Sequence, residues 1–120
     1  MSSFWVSVVA RNPKDEARVT APVEALVDTG SELTWLPAAT LRAIGVEPRR
    51  TSVFATATGE RVRREVGFVI LQAEGFETID EVVFGEAGDM TLLGVRTIEG
   101  FGVYVDSIGH RLVGRTFIVA

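Results

Sequence analysis

With 120 residues and a formal net charge of -4, the chain is long enough to bury one core and too short for two lobes of ordinary size, so residues 1–120 are read as a single domain. Its basic residues are scattered apart from Arg61, Arg63 and Arg64, which argues against nucleic acid as a partner, and the lack of cysteine excludes disulfides, thiolate metal sites and a cysteine nucleophile. The apolar opening, Phe4 to Ala10, is too short to span a membrane and has no basic leader, so no anchor is read and the expected location is the cytoplasm.

Phe4, Val6, Val8 and Ala10 alternate, a turn follows at Asn12-Pro13-Lys14-Asp15-Glu16, and Val19, Ala21, Val23, Ala25 and Val27 alternate again. This predicts a first hairpin, with part of its second strand on an edge because Pro22 cannot donate to a ladder. That strand delivers Asp28 into Thr29-Gly30-Ser31, a polar turn at which the backbone can reverse sharply. Two readings stand there: a carboxylate poised for chemistry where a buried strand meets a loop, or a plain turn in which Asp28 caps its own backbone.

Leu33-Thr34-Trp35-Leu36 predicts a buried strand, and Pro37 to Ile44 a short helix with proline in its first turn, Leu41 and Ile44 on one face and Gly45 as its stop. Val53 to Leu71 predicts a second hairpin turning near Thr58-Gly59-Glu60, with Val62, Val66, Phe68 and Ile70 on one face and Arg61, Arg63 and Glu65 on the other. Phe76 to Phe84 is a strand and Gly85 to Asp89 a loop; Met90 to Leu93 is a short buried strand ending at Gly94, and Val95 to Gly100 fits a helix. A last hairpin runs from Phe101 to Val113 around Ser107-Ile108-Gly109, and Thr116 to Ala120 is β-prone.

Leu26-Val27-Asp28-Thr29-Gly30-Ser31 resembles the active-site loop of aspartic proteases, an apolar pair followed by Asp-Thr/Ser-Gly and then Ser, Thr or Ala. Leu92-Leu93-Gly94, before a short helix, resembles the second signature of the same proteins. One Asp loop in so short a chain points to the retroviral-type, retropepsin-like branch and its bacterial single-domain members. The resemblance spans about Val19 to Val113 and implies an all-β acid-protease barrel with one or two short helices, paired as a two-fold homodimer.

It further implies that Asp28 is catalytic, one from each protomer, and that Thr29 braces the two loops across the axis. Gly30 and Glu32, with Thr58, Gly59 and Glu60 at the tip of a flap, would bind a peptide or protein substrate. The alternative reading of the same hairpin is a plain surface feature. Ser31 would either donate to the Asp28 carboxylate and favour its ionised form, or serve only the turn. No metal, cofactor, nucleic acid or membrane is implied.

Thr97 departs from the resemblance, since bacterial relatives usually carry an aliphatic residue there, so the helix is expected to be short or frayed with Ile98 left to pack. Met1 to Trp5 and Thr116 to Ala120 are expected to pair across the two-fold axis, or else Thr116 to Ala120 adds an edge strand to its own barrel. Elsewhere, His110 reads as solvated, Trp35 and Phe54 as core, and Asp15, Glu16, Glu47, Asp80 and Glu81 as surface acids without metal-loop spacing. Two functions follow: a homodimeric aspartic endopeptidase, or a catalytically weak dimer that keeps the groove for peptide binding or assembly.

Overall fold

The alternating apolar residues build a barrel. A computed structural model describes residues 3–120, with β1 (Trp5–Asn12), β2 (Asp15–Val19), β3 (Val23–Val27), β4 (Thr34–Pro37), α1 (Ala38–Ala43), β5 (Arg50–Ala55) and β6 (Arg61–Ala73) in its first part. β7 (Phe76–Gly85), β8 (Leu92–Leu93), α2 (Val95–Phe101), β9 (Val103–Asp106) and β10 (Arg111–Gly114) complete it.

β1 closes the sheet. It pairs antiparallel with β3 from Trp5↔Leu26 to Val8↔Val23, and with the far end of β6 from Val8↔Ala73 to Arg11↔Ile70. The ring therefore runs β1-β3-β8-β4-β7-β6 and returns to β1, with β2 and β5 as outlying strands. Val6, Val8 and Ala10 of β1, Leu36 and Leu41 around β4 and α1, and Val69, Leu71, Val82, Phe84 and Leu93 fill the interior.

The expected strand from Val19 to Val27 is two strands. Pro22 has no N–H to give, and Thr20 turns inward instead, its N–H donating to the Ala10 carbonyl at 2.9 Å while its hydroxyl accepts from the Ala10 N–H at 3.0 Å. Val19 and Ala21 consequently face solvent. α1 begins one residue later than expected, since Pro37 ends β4 with ψ 132 and occupies the cap position, and Gly45, at φ 78, follows the helix end.

Phe68 does not share a buried face with Val66 and Ile70; it is 45% exposed under the Arg49 guanidinium. In the inner half of β6 both faces are covered, with Val69 and Leu71 in the main core and Val66 in a smaller one, so alternation there no longer separates inside from outside. The strand expected from Met90 shrinks to Leu92–Leu93. α2, in contrast, runs on to Phe101, buries Thr97, Ile98 and Phe101, and stops at Gly102 in the left-handed conformation.

At the chain ends, the alternative edge strand of Thr116 to Ala120 on its own barrel is not formed. Phe4 and Trp5 find partners within the chain, Trp5 opposite Leu26 and the Phe4 carbonyl accepting from Val27 N–H, while Met1 and Ser2 lie outside the described residues. Thr116 to Ala120 forms no strand. Phe117 lies against Gly102, where a Cβ would collide with its ring, and Ile118 and Val119 are 93% and 92% exposed.

Candidate active site

β3 carries the chain out of the core and ends one residue before Asp28. β8 lies beside it in parallel, Leu26 opposite Leu92 and Val27 opposite Leu93, and β4 flanks β8 on the other side, Trp35 opposite Leu92. Asp28 N–H donates to the Leu93 carbonyl at 3.0 Å and Leu26 N–H to the Thr91 carbonyl at 3.0 Å. The two sequence signatures, more than sixty residues apart, are thus joined by hydrogen bonds.

Within the loop, Asp28 Oδ1 accepts from Gly30 N–H at 2.9 Å, and the Asp28 carbonyl accepts from Ser31 N–H at 3.1 Å. The turn that caps its own backbone and the presented carboxylate are one arrangement: the Gly30 amide orients the carboxyl group. Thr29 and Gly30 are exposed and Asp28 is half-buried. Ser31 does not donate to the carboxylate; its hydroxyl donates to the Leu33 carbonyl at 2.7 Å, bracing the exit of the loop.

α2 closes on the same loop. Val95 N–H donates to the Ser31 carbonyl at 2.8 Å and Arg96 N–H to the Glu32 carbonyl at 3.1 Å, so donors orphaned at a helix start are used to fix the segment after Asp28. Glu32 is held there by its backbone and its side chain is exposed. Gly94 is tightly seated, because a Cβ would run into the Leu33 backbone. Its N–H donates to Thr34 Oγ1 at 3.0 Å, Thr34 and Thr97 hydroxyls lie 2.6 Å apart, and Thr97 donates to Asp80 Oδ2 at 2.9 Å. Sequence reasoning missed Thr34 and Asp80 and registered Thr97 only as a departure.

Strand parity explains the floor of the site. Val27, Leu93 and Leu36 are buried in the barrel, whereas Leu26, Leu92 and Trp35, in register across three strands, form a half-buried row on the other face. Asp28 follows the parity of Leu26. Beyond Trp35 the row continues into Leu33, Val66 and Val83, and Trp35 meets the Phe54 ring edge-on at 5.2 Å, joining the floor to the β5–β6 hairpin.

Thr58, Gly59 and Glu60 lie at the exposed tip of that hairpin, with Gly59 at φ 85. The tip is closed by Thr56 N–H to the Glu60 carbonyl at 2.7 Å and Gly59 N–H to the Thr56 carbonyl at 2.9 Å, bonds that stay within it. Asp28 and Glu32 are therefore brought together with the second signature, while the tip residues are held separately. At the hairpin base, Arg64 donates to Asp89 through Nε at 2.7 Å and Nη2 at 3.0 Å. That paired hydrogen bond, with help from the Glu86 amide, holds the Asp89 carboxyl below the ordinary carboxylate range and raises Arg64 in turn.

A cavity of about 240 Å³ opens beside Asp28 and Thr29, bounded by Ser3, Phe4, Val105 and Ser107. A larger one, about 600 Å³, lies among Asn12, Lys14, Val46, Glu47 and Phe68 and shares no residue with the Asp28 loop. His110 is exposed in its hairpin turn and stacks on Phe4 at 5.4 Å. Among the described residues, no three His, Cys, Asp or Glu side chains cluster as a metal site would require, and no helix is long and apolar enough to cross a membrane.

Residues 19–99 match the family described as "gag-polyprotein putative aspartyl protease". No curated protein sequence matches the chain. Among solved structures, the simian foamy virus (mac) protease is similar with a TM-score of 0.54 and 20% identity, over 80% of this chain and 92% of that one. The foamy viral protease-reverse transcriptase, solved with double-stranded DNA, is similar with a TM-score of 0.53 and 17% identity, over 78% of this chain and 14% of that one. A retropepsin-like aspartic protease from Rickettsia conorii gives a TM-score of 0.49 and 19% identity, over 87% and 84%.

Proposed function

The chain belongs to the retropepsin-like aspartic protease family, and on that premise we propose that it is an aspartic endopeptidase, active as a two-fold homodimer with one Asp28 from each copy. The observation that carries the reading is the seating of Asp28. Its carboxyl is oriented by the Gly30 amide, its backbone is tied to Leu93, and the loop after it is fixed by α2.

Hydrolysis of a peptide bond needs a base for the attacking water and an acid for the carbonyl oxygen, both within hydrogen-bond reach. One carboxyl group cannot be both at once. Two carboxyls held close on a two-fold axis share a single proton, the arrangement for which aspartic proteases are the standard example. The ionised carboxylate takes a proton from water as the water oxygen bonds to the carbonyl carbon, and the protonated partner gives its proton to the carbonyl oxygen. The tetrahedral diol then collapses: the C–N bond breaks as the nitrogen takes the proton held by the first carboxyl, and one diol hydroxyl gives its proton to the second, which restores the shared proton.

The half-buried row Leu26, Leu92 and Trp35 offers an apolar floor for an extended peptide, with Gly30 and Glu32 beside it and Thr58, Gly59 and Glu60 closing from the flap. The two carboxyls supply acid and base between them, so the scheme calls for no cofactor. Residues 1–120 serve as the protease domain, and the cytoplasm is the location proposed with it.

The test is Asp28→Asn, assayed against an unbiased peptide library across pH. The amide supplies neither base nor shared proton, so the variant should remain a dimer and lose cleavage, while the parent cleaves with a pH dependence set by two coupled groups. Substantial activity in Asp28→Asn would remove the dyad mechanism; an inactive parent would leave a dimeric binding module.

A further inference from the structure

Thr34 and Thr97 are completely buried, one on β4 and one on α2, and their hydroxyls form a hydrogen-bonded chain with a definite direction. Each hydroxyl has one proton to give. Gly94 N–H donates to Thr34 Oγ1, and Thr97 gives its proton to Asp80 Oδ2, so the proton between the two threonines comes from Thr34. The chain thus runs from the Gly94 amide through two hydroxyls to a carboxylate, whose other oxygen accepts from Glu81 N–H at 2.7 Å.

Gly94 is where this chain meets the candidate site. The Leu93 carbonyl before it receives Asp28 N–H, and the Val95 N–H after it donates to the Ser31 carbonyl. The Gly94 N–H and the Leu93 carbonyl share one peptide plane, so its tilt sets the first of these bonds directly and the second through the Gly94 backbone, two of the hydrogen bonds that hold the Asp28 loop. An aliphatic residue at 97 would fill the same space but leave Thr34 without an acceptor and free to rotate away from the Gly94 amide.

We propose that Thr97, Thr34 and Asp80 form a positioning relay that fixes Gly94 and, through Leu93 and Val95, the geometry of the Asp28 loop. None of the three touches substrate under this assignment. Its kinetic consequence rests on the protease reading; its structural consequence does not, and the two are read separately.

The test uses the full chain and Thr97→Val, which keeps shape and removes the hydroxyl, beside Thr97→Ser, which keeps the hydroxyl, and Asp80→Asn, which keeps an acceptor oxygen. Amide hydrogen exchange at Gly94 is followed by NMR, and kcat and KM are measured on a peptide selected from the library. Thr97→Val should speed Gly94 exchange about tenfold, the scale of one buried hydrogen bond, and lower kcat by about the same factor. KM should stay within about twofold because ground-state binding is untouched. Thr97→Ser should remain near the parent on every measure, and Asp80→Asn near it in Gly94 exchange, because its one amide oxygen can still accept from Thr97 while the bond from Glu81 N–H is given up.

Unchanged Gly94 exchange in a folded Thr97→Val, or a Thr97→Ser variant no better than it, would overturn the relay. Should Thr97→Val not fold, Asp80→Ala against Asp80→Asn asks the same question from the half-buried end: faster Gly94 exchange only in the alanine variant supports the relay, and equal exchange in both refutes it. A parent that cleaves nothing would sink the protease reading while the exchange result still decides the relay.

Discussion

Asp28, Ser31 and Thr29 occupy one turn and are governed by different neighbours. The orientation of Asp28 is local, set by the Gly30 amide two residues on. Ser31 had two roles open on sequence grounds, donor to the carboxylate or part of the turn alone; it bonds the Leu33 carbonyl and leaves the carboxylate to the Gly30 amide. Thr29 is exposed in the single chain, which leaves its hydroxyl available to a second copy. Thr29→Ala should therefore weaken dimerisation and activity together. On the proposed two-fold axis, losing the hydroxyl would strand its counterpart, at a cost of up to about 3 kcal/mol. Sedimentation at several concentrations, with activity measured in parallel, checks this; a variant that dimerises and cleaves like the parent would show that the loops are braced elsewhere.

At the scale of elements, the β5–β6 hairpin is anchored at both ends of its inner part. Phe54 packs on Trp35 of the floor, and Arg64 forms the paired hydrogen bond to Asp89 in the loop that leads to β8. With side chains 15% and 19% exposed, that ion pair is shielded more than an ordinary surface pair, and Asp89→Ala is expected to cost about 1 kcal/mol at neutral pH. The sign with pH follows from the carboxyl being held below its ordinary range. Folded Asp89 releases its proton more readily than unfolded Asp89, so the contribution is complete above the unfolded carboxylate range and is lost as pH falls through the depressed folded value. In denaturant titrations the parent should exceed Asp89→Ala at neutral pH, with the gap closing below about pH 4. A gap that widened in acid would contradict the assignment. α2 shows the same dependence on distant partners: Thr97, unpromising for packing on its own, is buried because Thr34 and Asp80 satisfy its hydroxyl.

The whole molecule has a mainly-β retropepsin-like fold with two short helices. β1 is paired on both sides and closes the barrel, whereas Thr116 to Ala120 joins no strand, and Ile118 and Val119 are almost fully exposed. Apolar side chains so uncovered in one chain are suited to a second copy. Deleting Phe117 to Ala120 should shift the monomer–dimer equilibrium toward monomer and make specific activity depend more steeply on enzyme concentration, since a lone Asp28 has no partner. Sedimentation equilibrium with a dilution series of activity reads both. A truncated protein that remains dimeric and fully active when dilute would place the dimer contact elsewhere, around Thr29 and the flap tips.

What the sequence by itself determined is whatever depends on residues close along the chain. The Asp28-Thr29-Gly30-Ser31 turn, the stop of α1 before Gly45, the tip at Gly59 and the strands around them follow from period-two alternation and turn chemistry, which act over a few residues. The pairing of the Asp28 loop with Leu92-Leu93-Gly94 was legible only through resemblance. Tertiary structure alone decided that β8 sits between β3 and β4, that Ser31 bonds Leu33, that Thr97 is buried, that Phe68 faces out and that the last residues stay unpaired within the chain. Each of these turns on which distant group arrives to cover a face or accept a proton, and in a closed barrel a period of two marks two faces without saying which neighbour will cover either.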